Sequence, residues 1–426
     1  MCIDRAKYEN YISILQEELI PAVGCTEPAC LALAGAKLRK VLGAVPDRIE
    51  VCMSGNLIKN TKSVIIPHSK GMKGIASALW LGIYGGDDQR GLAVLSSVTN
   101  EDIDRVKEKT SNPALCRVEL LDKSPPKLHL ILKGTAGERS ASVEILHSHT
   151  NFVRITKDGT TLLDTGASPA DEEKLTDRSL LNIQDILAFT ESVRLEDVEP
   201  ILRQQIEHNL AIAEKGLKED YGAKVGRILL ENFGNSVGNL AKATAAAASD
   251  ARMDGCQLPV VINSGSGNQG IAASIPVIVY ARHYDLPEEE LLRALCVSNL
   301  VAIHQKTRIG RLSAYCGAVS AACGSGAAIT YLFGGDYQDV SAAITNTLAN
   351  VSGILCDGAK ASCAAKIASS VDAAILGLTM AFSRLKFLDG DGIVKSNVEE
   401  TIKVIGNIAS EGMKKTDVTI IKHMIN

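Results

Sequence analysis

Apolar residues recur at helical spacing at the two ends of the chain and at strand spacing between them. Residues 4–20, D-R-A-K-Y-E-N-Y-I-S-I-L-Q-E-E-L-I, put Ile12, Leu15 and Leu19 on one face, which predicts a helix stopped by Pro21. A second helix is predicted from about Pro28 to Leu42, with Thr26 as N-cap and Glu27 and Pro28 in its first turn. Cys25 then lies just before a helix N-terminus. From Asp47 to about Thr165 the period changes to two. R-I-E-V-C-M-S (48–54), S-V-I-I-P (63–67) and G-L-A-V-L-S-S-V (91–98) read as strands, the last followed by a polar helix over Asn100–Lys109. Segments 116–122, 127–134, 140–150 and 151–164 alternate as well, with Asp158-Gly159 as a hairpin turn.

Asp171–Asp177 is charged and reads as a linker. From Leu181 onward the strand signal nearly vanishes. Helices are predicted over 183–192, 198–218, 223–232, 238–254, 271–283, 287–302, 313–333, 340–355, 359–387 and 398–413. Asp285 and Glu288 form a D-x-x-E capping pattern before L-L-R-A-L. The fold class is α+β. An N-terminal α+β domain with an antiparallel sheet (1–175) contributes the first helix and the Cys25 loop, and an all-α, Ala-rich domain (176–426) follows.

Composition sharpens this picture. The chain has 426 residues, 46% of them hydrophobic but only 4% aromatic. The apolar content is mostly Ala, Leu, Ile and Val, which favours helices that approach closely through small residues. Net charge is −4, from 45 basic and 49 acidic residues. With no basic patch interleaved with aromatics, nucleic acid is not an expected partner. The first ten residues are charged and lack the apolar core of a signal peptide. Arg311 to Asp336 carries no charge between its ends. That run is long enough to span a membrane, but its Gly, Ser and Tyr content suits a packed protein interior, and no membrane partner is expected. Eleven cysteines without a signal peptide predict a reducing, cytoplasmic setting. There, metal binding or catalysis is a better use of thiols than a disulfide framework, and any single cysteine is otherwise a small buried hydrophobe.

Five places carry candidate chemistry. Four cysteines, Cys316, Cys323, Cys356 and Cys363, lie in the small-residue stretch from Tyr315 to Cys363. On one helix Cys356 and Cys363 would be separated by about 10.5 Å of rise, but Asp357-Gly358 suggests a turn that lets the thiols converge. Iron–sulfur clusters are held by thiolates, and three protein ligands would leave one iron open. Cys323 is either a rival third thiol or core. Cys25 in G-C-T-E-P sits where a helix N-terminus would lower a thiol pKa, as a base or nucleophile, or else it packs under the first helix as Cys30 does. N-S-G-S-G-N-Q-G (263–270) matches G-x-G-x-x-G by its letters, yet the βαβ unit and following acidic residue of a dinucleotide site are missing. A polar loop opening a helix, with Asn263, Gly265, Asn268 and Gln269 able to hold a carboxylate, is the alternative to a plain connection. Ser54, Asn56 and Asn60 follow a strand at what reads as a loop mouth. His304 and Lys306 end a helix, and nothing else supports a pyridoxal phosphate lysine.

Taken together these residues resemble the iron–sulfur L-serine dehydratases and, more closely, their L-cysteine desulfidase relatives, over nearly the whole chain. That superfamily carries one cysteine and then a pair about forty residues later. The resemblance assigns Cys316, Cys356 and Cys363, with separations like those of the desulfidase branch, as ligands of a [4Fe–4S] cluster with one open iron. G-C-T-E-P resembles the dehydratases' Ser/His/Thr-rich segment in position but not in residues, and in the desulfidase branch its cysteine, here Cys25, is the proposed base. The N-S-G-S-G-N-Q-G loop is similar to the family's substrate loop. The resemblance implies β-elimination of L-cysteine to pyruvate, ammonia and hydrogen sulfide, with Thr26, Glu27, Ser54, Asn56, Asn60, Asn263, Gly265, Asn268, Gln269, His304 and Lys306 near a small amino-acid substrate. The alternatives are an L-serine dehydratase of the same superfamily and a non-catalytic thiol-rich binding or redox-sensing protein. A homodimer is left open.

Overall fold

The computed structural model describes residues 3–121, 128–166, 176–310 and 313–425. Helix α1 (Arg5–Glu18) is capped by Asp4, which accepts from Lys7 N, and is followed by a short strand, β1 (Pro21–Val23). Helix α2 (Thr26–Leu42) begins one residue earlier in its cap than the sequence predicts: Cys25, not Thr26, holds the extended cap conformation. Then come β2 (Arg48–Met53), α3 (Gly55–Thr61), α4 (Ile75–Gly85) and α5 (Asn100–Thr110). Five strands complete this part: β3 (Cys116–Leu120), β4 (His129–Ala136), β5 (Arg139–Leu146), β6 (Phe152–Lys157) and β7 (Thr160–Asp164).

The sheet order is β3-β2-β4-β5-β6-β7, antiparallel throughout except that β3 joins β2 in parallel. One row of the register runs Val51, Leu132, Val143, Ile155. All four are buried in a core that α2 and α4 close from one side, so the alternation seen in the sequence is one face packed and one face wet. Trp80, the one tryptophan of the chain, is fully buried in this core.

Two expected strands are absent. Residues 63–67 join no sheet: Ile65 N donates to Met253 O at the end of α9 and Ile66 N to Met72 O, and Ile65 makes only an isolated bridge to Lys73. Residues 91–97 lie within 3₁₀ turns (Asp88–Ser97) that end at Val98, and the neighbours Val94 and Leu95 are both buried instead of alternating. Helix α4 gives no periodic signal because it is buried almost all round, from Ser77 to Ile83. Residues 55–60 belong to helix α3, with Ser54 at its cap position, and not to a loop mouth.

The second part is helical: α6 (Ile183–Ser192), α7 (Glu199–Lys218), α8 (Val225–Phe233) and α9 (Val237–Met253). A short strand β8 (Pro259–Val261) precedes α10 (Gly267–His283), α11 (Glu288–Ile309), α12 (Gly317–Leu332) and α13 (Tyr337–Asn350). Last come α14 (Cys363–Phe382), α15 (Val398–Asn407) and α16 (Lys414–Ile425). The Asp285–Glu288 capping pattern is not used, since Pro287 is the cap of α11 and no side chain bonds there. Of the expected linker, residues 171–175 lie outside the described residues. The helical core includes Tyr11, Ile14 and Leu15 of α1. Helix α14 is long and apolar enough by composition to cross a membrane, but half of it is buried within the protein.

The low aromatic content is resolved by close helix contacts. A Cβ added at Gly82 of α4 would lie 1.9 Å from Ala32 O of α2. Gly82→Ala should therefore lower stability by about 2 kcal/mol in urea denaturation, despite alanine's better helix propensity.

Asp250, buried in α9, accepts from Gly226 N at 3.2 Å at the start of α8. Burial pushes its carboxyl up to about 6, against the pull of the N–H groups of Gly226, Val225 and Ala223. The folded chain then holds this proton more tightly than the unfolded chain between about pH 4 and pH 6. The stabilisation is fully present below that window and is lost as pH rises through it. Asp250→Asn should remove that slope, so its urea midpoint relative to the parent should rise from pH 4.5 to pH 7.

Candidate active site

Main-chain pairing between the two parts builds the site. β1 pairs antiparallel with β8, Pro21 opposite Val261 and Val23 opposite Pro259. Gly24 then turns at a positive φ of 67° and delivers Cys25 to the start of α2. A second junction joins Tyr315 to Leu355 in an isolated antiparallel bridge. There Cys316 N donates to Ile354 O at 2.8 Å and Cys356 N to Ala314 O at 2.7 Å. Cys316 caps α12, and Cys363 opens α14. The loop between Cys356 and Cys363 presses on α3: Gly358 has φ +95°, and a Cβ there would meet Lys59 O at 2.0 Å.

These elements enclose a cavity of about 110 Å³ that Cys25, Cys316, Cys356 and Cys363 all line. Thr26, Glu27, Asn60, Gly265, Asn268, Gln269 and Lys306 also reach it. Ser54, Asn56, Asn263 and His304 do not. Ser54 stands at the cap position of α3 without a side-chain cap bond and accepts from His129 N at 3.3 Å, and Asn56 is buried within the first turn of that helix. Asn263 donates to Asn299 Oδ1 at 3.0 Å, within a buried network that also holds Gln205. The ring of His304 meets Glu399 at 2.8 Å. His304 and Lys306 are buried inside α11, which runs on to Ile309. Cys323 is core, with its thiol 3.9 Å from Ile344 O.

Cys25 Sγ donates to Glu27 Oε2 at 3.0 Å. The same carboxylate accepts from Thr26 Oγ1 at 3.0 Å and from Asn60 Nδ2 at 2.8 Å. Burial, then the charge of Glu27, raises the Cys25 thiol well above its usual range, and Arg252 only partly opposes them. The expected lowering by the helix N-terminus is outweighed, because the site is dry and the nearest charge is negative. Burial would also raise Glu27, but the charge of His149 and the bonds from Cys25 and Asn60 overcome it and leave the group below the usual carboxylate range. The resting pair is therefore thiol and carboxylate. Cys25 packs with Val64 and Met253, and Ala359 and Cys363 lie against them, so the thiol adjoins the cysteine group.

Within that group Cys316 bonds to Cys356 and favours the Cys356 thiolate, which Lys59 and Lys306 also support against burial. Among the described residues no three His, Cys, Asp or Glu side chains converge closely enough for a single metal ion. Three thiols around one cavity, with cations beside them, suit a cubane cluster better, since it spreads its ligands over several irons. All ten described cysteines are free.

Two cavity cations, Lys59 and Arg252, are not among the candidates the sequence offers. Each had a signal: a charge inside a helix otherwise built of buried residues, L-I-K-N for one and A-A-A-A-S-D-A-R-M for the other. Lys59 is 1% exposed and pairs with Asp417 of α16 at 2.7 Å.

The chain belongs to the serine dehydratase alpha chain family, whose pattern it matches over residues 89–422. Members of that family generally depend on an iron–sulfur cluster. The chain is 50% identical to a UPF0597 protein of Lachnoclostridium phytofermentans, covering 98% of this chain and 100% of that one. It is 47% identical to the UPF0597 protein of Treponema denticola, over the full length of both. With that of Aeromonas hydrophila it shares 39%, covering 99% and 97%.

Lys59→Met should cost about 3 kcal/mol by leaving Asp417 without its partner. Lys59→Met with Asp417→Leu should recover at least half of the loss in urea unfolding.

Proposed function

We propose that the protein is an iron–sulfur-dependent β-elimination lyase that converts L-cysteine and water to pyruvate, ammonia and hydrogen sulfide. The observation that carries this reading is the meeting, in one cavity, of three thiols with a separate thiol–carboxylate pair. Cys316, Cys356 and Cys363 would hold a [4Fe–4S] cluster, which supplies an open iron as Lewis acid for the leaving sulfur. Cys25 and Glu27 divide the proton work. Glu27 Oε2 accepts the proton of Cys25 Sγ, and the thiolate takes the proton from the substrate Cα. The electron pair left at Cα forms the double bond to Cβ as the Cβ–S bond breaks. The aminoacrylate so formed hydrolyses to pyruvate and ammonia. Asn60 and Thr26 hold Glu27 in its ionised form and aim it at the thiol. Free thiols throughout the described chain fit a reducing, cytoplasmic setting.

Elimination of water from L-serine would use the same groups and is the alternative. Anaerobic purification, with iron and sulfide counted and L-cysteine and L-serine compared, tests both. About four irons per chain are expected, with sulfide and pyruvate released in equal amounts from L-cysteine. Cys356→Ala should lose iron and turnover together. Cys25→Ala should keep the iron and lose at least about 100-fold in pyruvate formation. Full turnover by Cys25→Ala would sink the assignment of the base, and pyruvate from L-serine alone would move the substrate.

A further inference from the structure

We propose that Arg252, together with the main-chain N–H groups that open α10, binds the α-carboxylate of the amino-acid substrate. The inference rests on the lyase reading only for the identity of the ligand.

Arg252 is 4% exposed and lines the cavity. Its Nη2 donates to Gly24 O at 2.8 Å, but its Nε has no hydrogen-bond partner, and no carboxylate pairs with it among the described residues. A desolvated guanidinium with an unused donor is costly unless an anion meets it. The guanidinium packs directly onto the start of α10, since a Cβ at Gly267 would lie 2.3 Å from Nε. Gly267 is the first residue of α10, a 17-residue helix whose cap, Ser266, makes no side-chain bond. The first-turn N–H groups are thus uncapped by any side chain and face negative charge favourably. Ser266, Asn268 and Gln269 line the cavity from the same turn.

The other charged groups lining the cavity are placed for other tasks, Lys306 beside the Cys356 thiolate that it supports. Among the described residues Glu27 is the one acidic residue lining the cavity, and it is occupied by Cys25, Thr26 and Asn60. Lys59 is held by Asp417 and by Ser313 O. Arg252 also holds the carbonyl of Gly24, the residue before Cys25. An anion bound at Arg252 is thereby kept close to the thiol. In an α-amino acid the carboxylate carbon is bonded to Cα, so anchoring one end places the Cα proton beside Cys25 and leaves the Cβ substituent to point toward Cys316, Cys356 and Cys363. The site would take small α-amino acids with a free carboxylate and reject their amides, esters and decarboxylated amines.

The test uses the iron-loaded protein under anaerobic conditions, with L-alanine and L-alaninamide as non-eliminating probes in calorimetric titration, and L-cysteine and its methyl ester as reactants. The parent should bind L-alanine in preference to the amide. Arg252→Met should lose that preference and raise KM for L-cysteine by about 100-fold, the scale of one charged partner. Arg252→Lys should recover part of the loss. Gly267→Ala, which crowds the guanidinium without removing it, should resemble Arg252→Met and serves if that variant does not fold. Retained preference for the carboxylate in a folded Arg252→Met or Gly267→Ala, or no preference in the parent, overturns the proposal. Arg252-dependent binding without turnover of L-cysteine would sink the elimination reading and leave the anchor standing. Turnover with unchanged discrimination against the ester would do the reverse.

Discussion

The site depends on one short piece of main-chain pairing. β1 and β8 are three residues each, yet they tie the chain just before Cys25 to the chain just before the α10 loop. The pairing continues as Ile262 N donates to Ile20 O at 2.9 Å. On the other side Asn209 Oδ1 accepts from Val261 N at 2.9 Å, and its Nδ2 donates to Ser274 Oγ at 2.8 Å. β8 is thus bonded on both edges, and its Val260 and Val261 are buried, where an unmade bond is costly. Arg252 adds a third tie through Gly24 O. Removing this ribbon would leave α2 attached to its own sheet and α10 to its own bundle, with no reason for the thiol and the uncapped helix end to meet.

Around that junction, charge is arranged by burial. Cations stand beside the cysteine group, and the carboxylate of Glu27 stands beside Cys25. The same chemical group, a buried thiol, is therefore driven in opposite directions at two places: Cys25, at a helix start, toward the protonated form by burial and Glu27, and Cys356, in a loop, toward the thiolate by its bond from Cys316 and the charges of Lys59 and Lys306. The neutral core supports this with small residues and with amides that satisfy one another, as in the Gln205–Asn299–Asn263 group.

Much of this was legible in the sequence where residues alternate between packed and wet environments. Strands β2 and β4 of the main sheet and helices α6 and α7 have one face of each kind, and their spacing shows it. Helix α4 has no wet face and so no period. Segment 63–67 has a strand's alternation but no sheet to join. The cysteines and the Asn/Gly loop stood out because their residue types are unusual in their surroundings. Arg252 and Lys59 were hidden by the habit of reading a helical charge as solvent-facing. The protonation of Cys25 could not be read from its place at a helix start, because it is set by Glu27, two residues on, and by the dryness that the distant segments around Val64 and Met253 impose.

Trp80 gives the molecule a built-in asymmetry as an optical object. The only indole sits at the centre of the sheet-side core, stacked near Tyr84 and under Lys109, while the helical core contains none. Its emission therefore reports the integrity of one half of the molecule and is silent on direct changes in the other. A chromophore seated among the cysteines would be seen against a background almost free of indole absorption. The two halves can be followed separately in one sample without any added label.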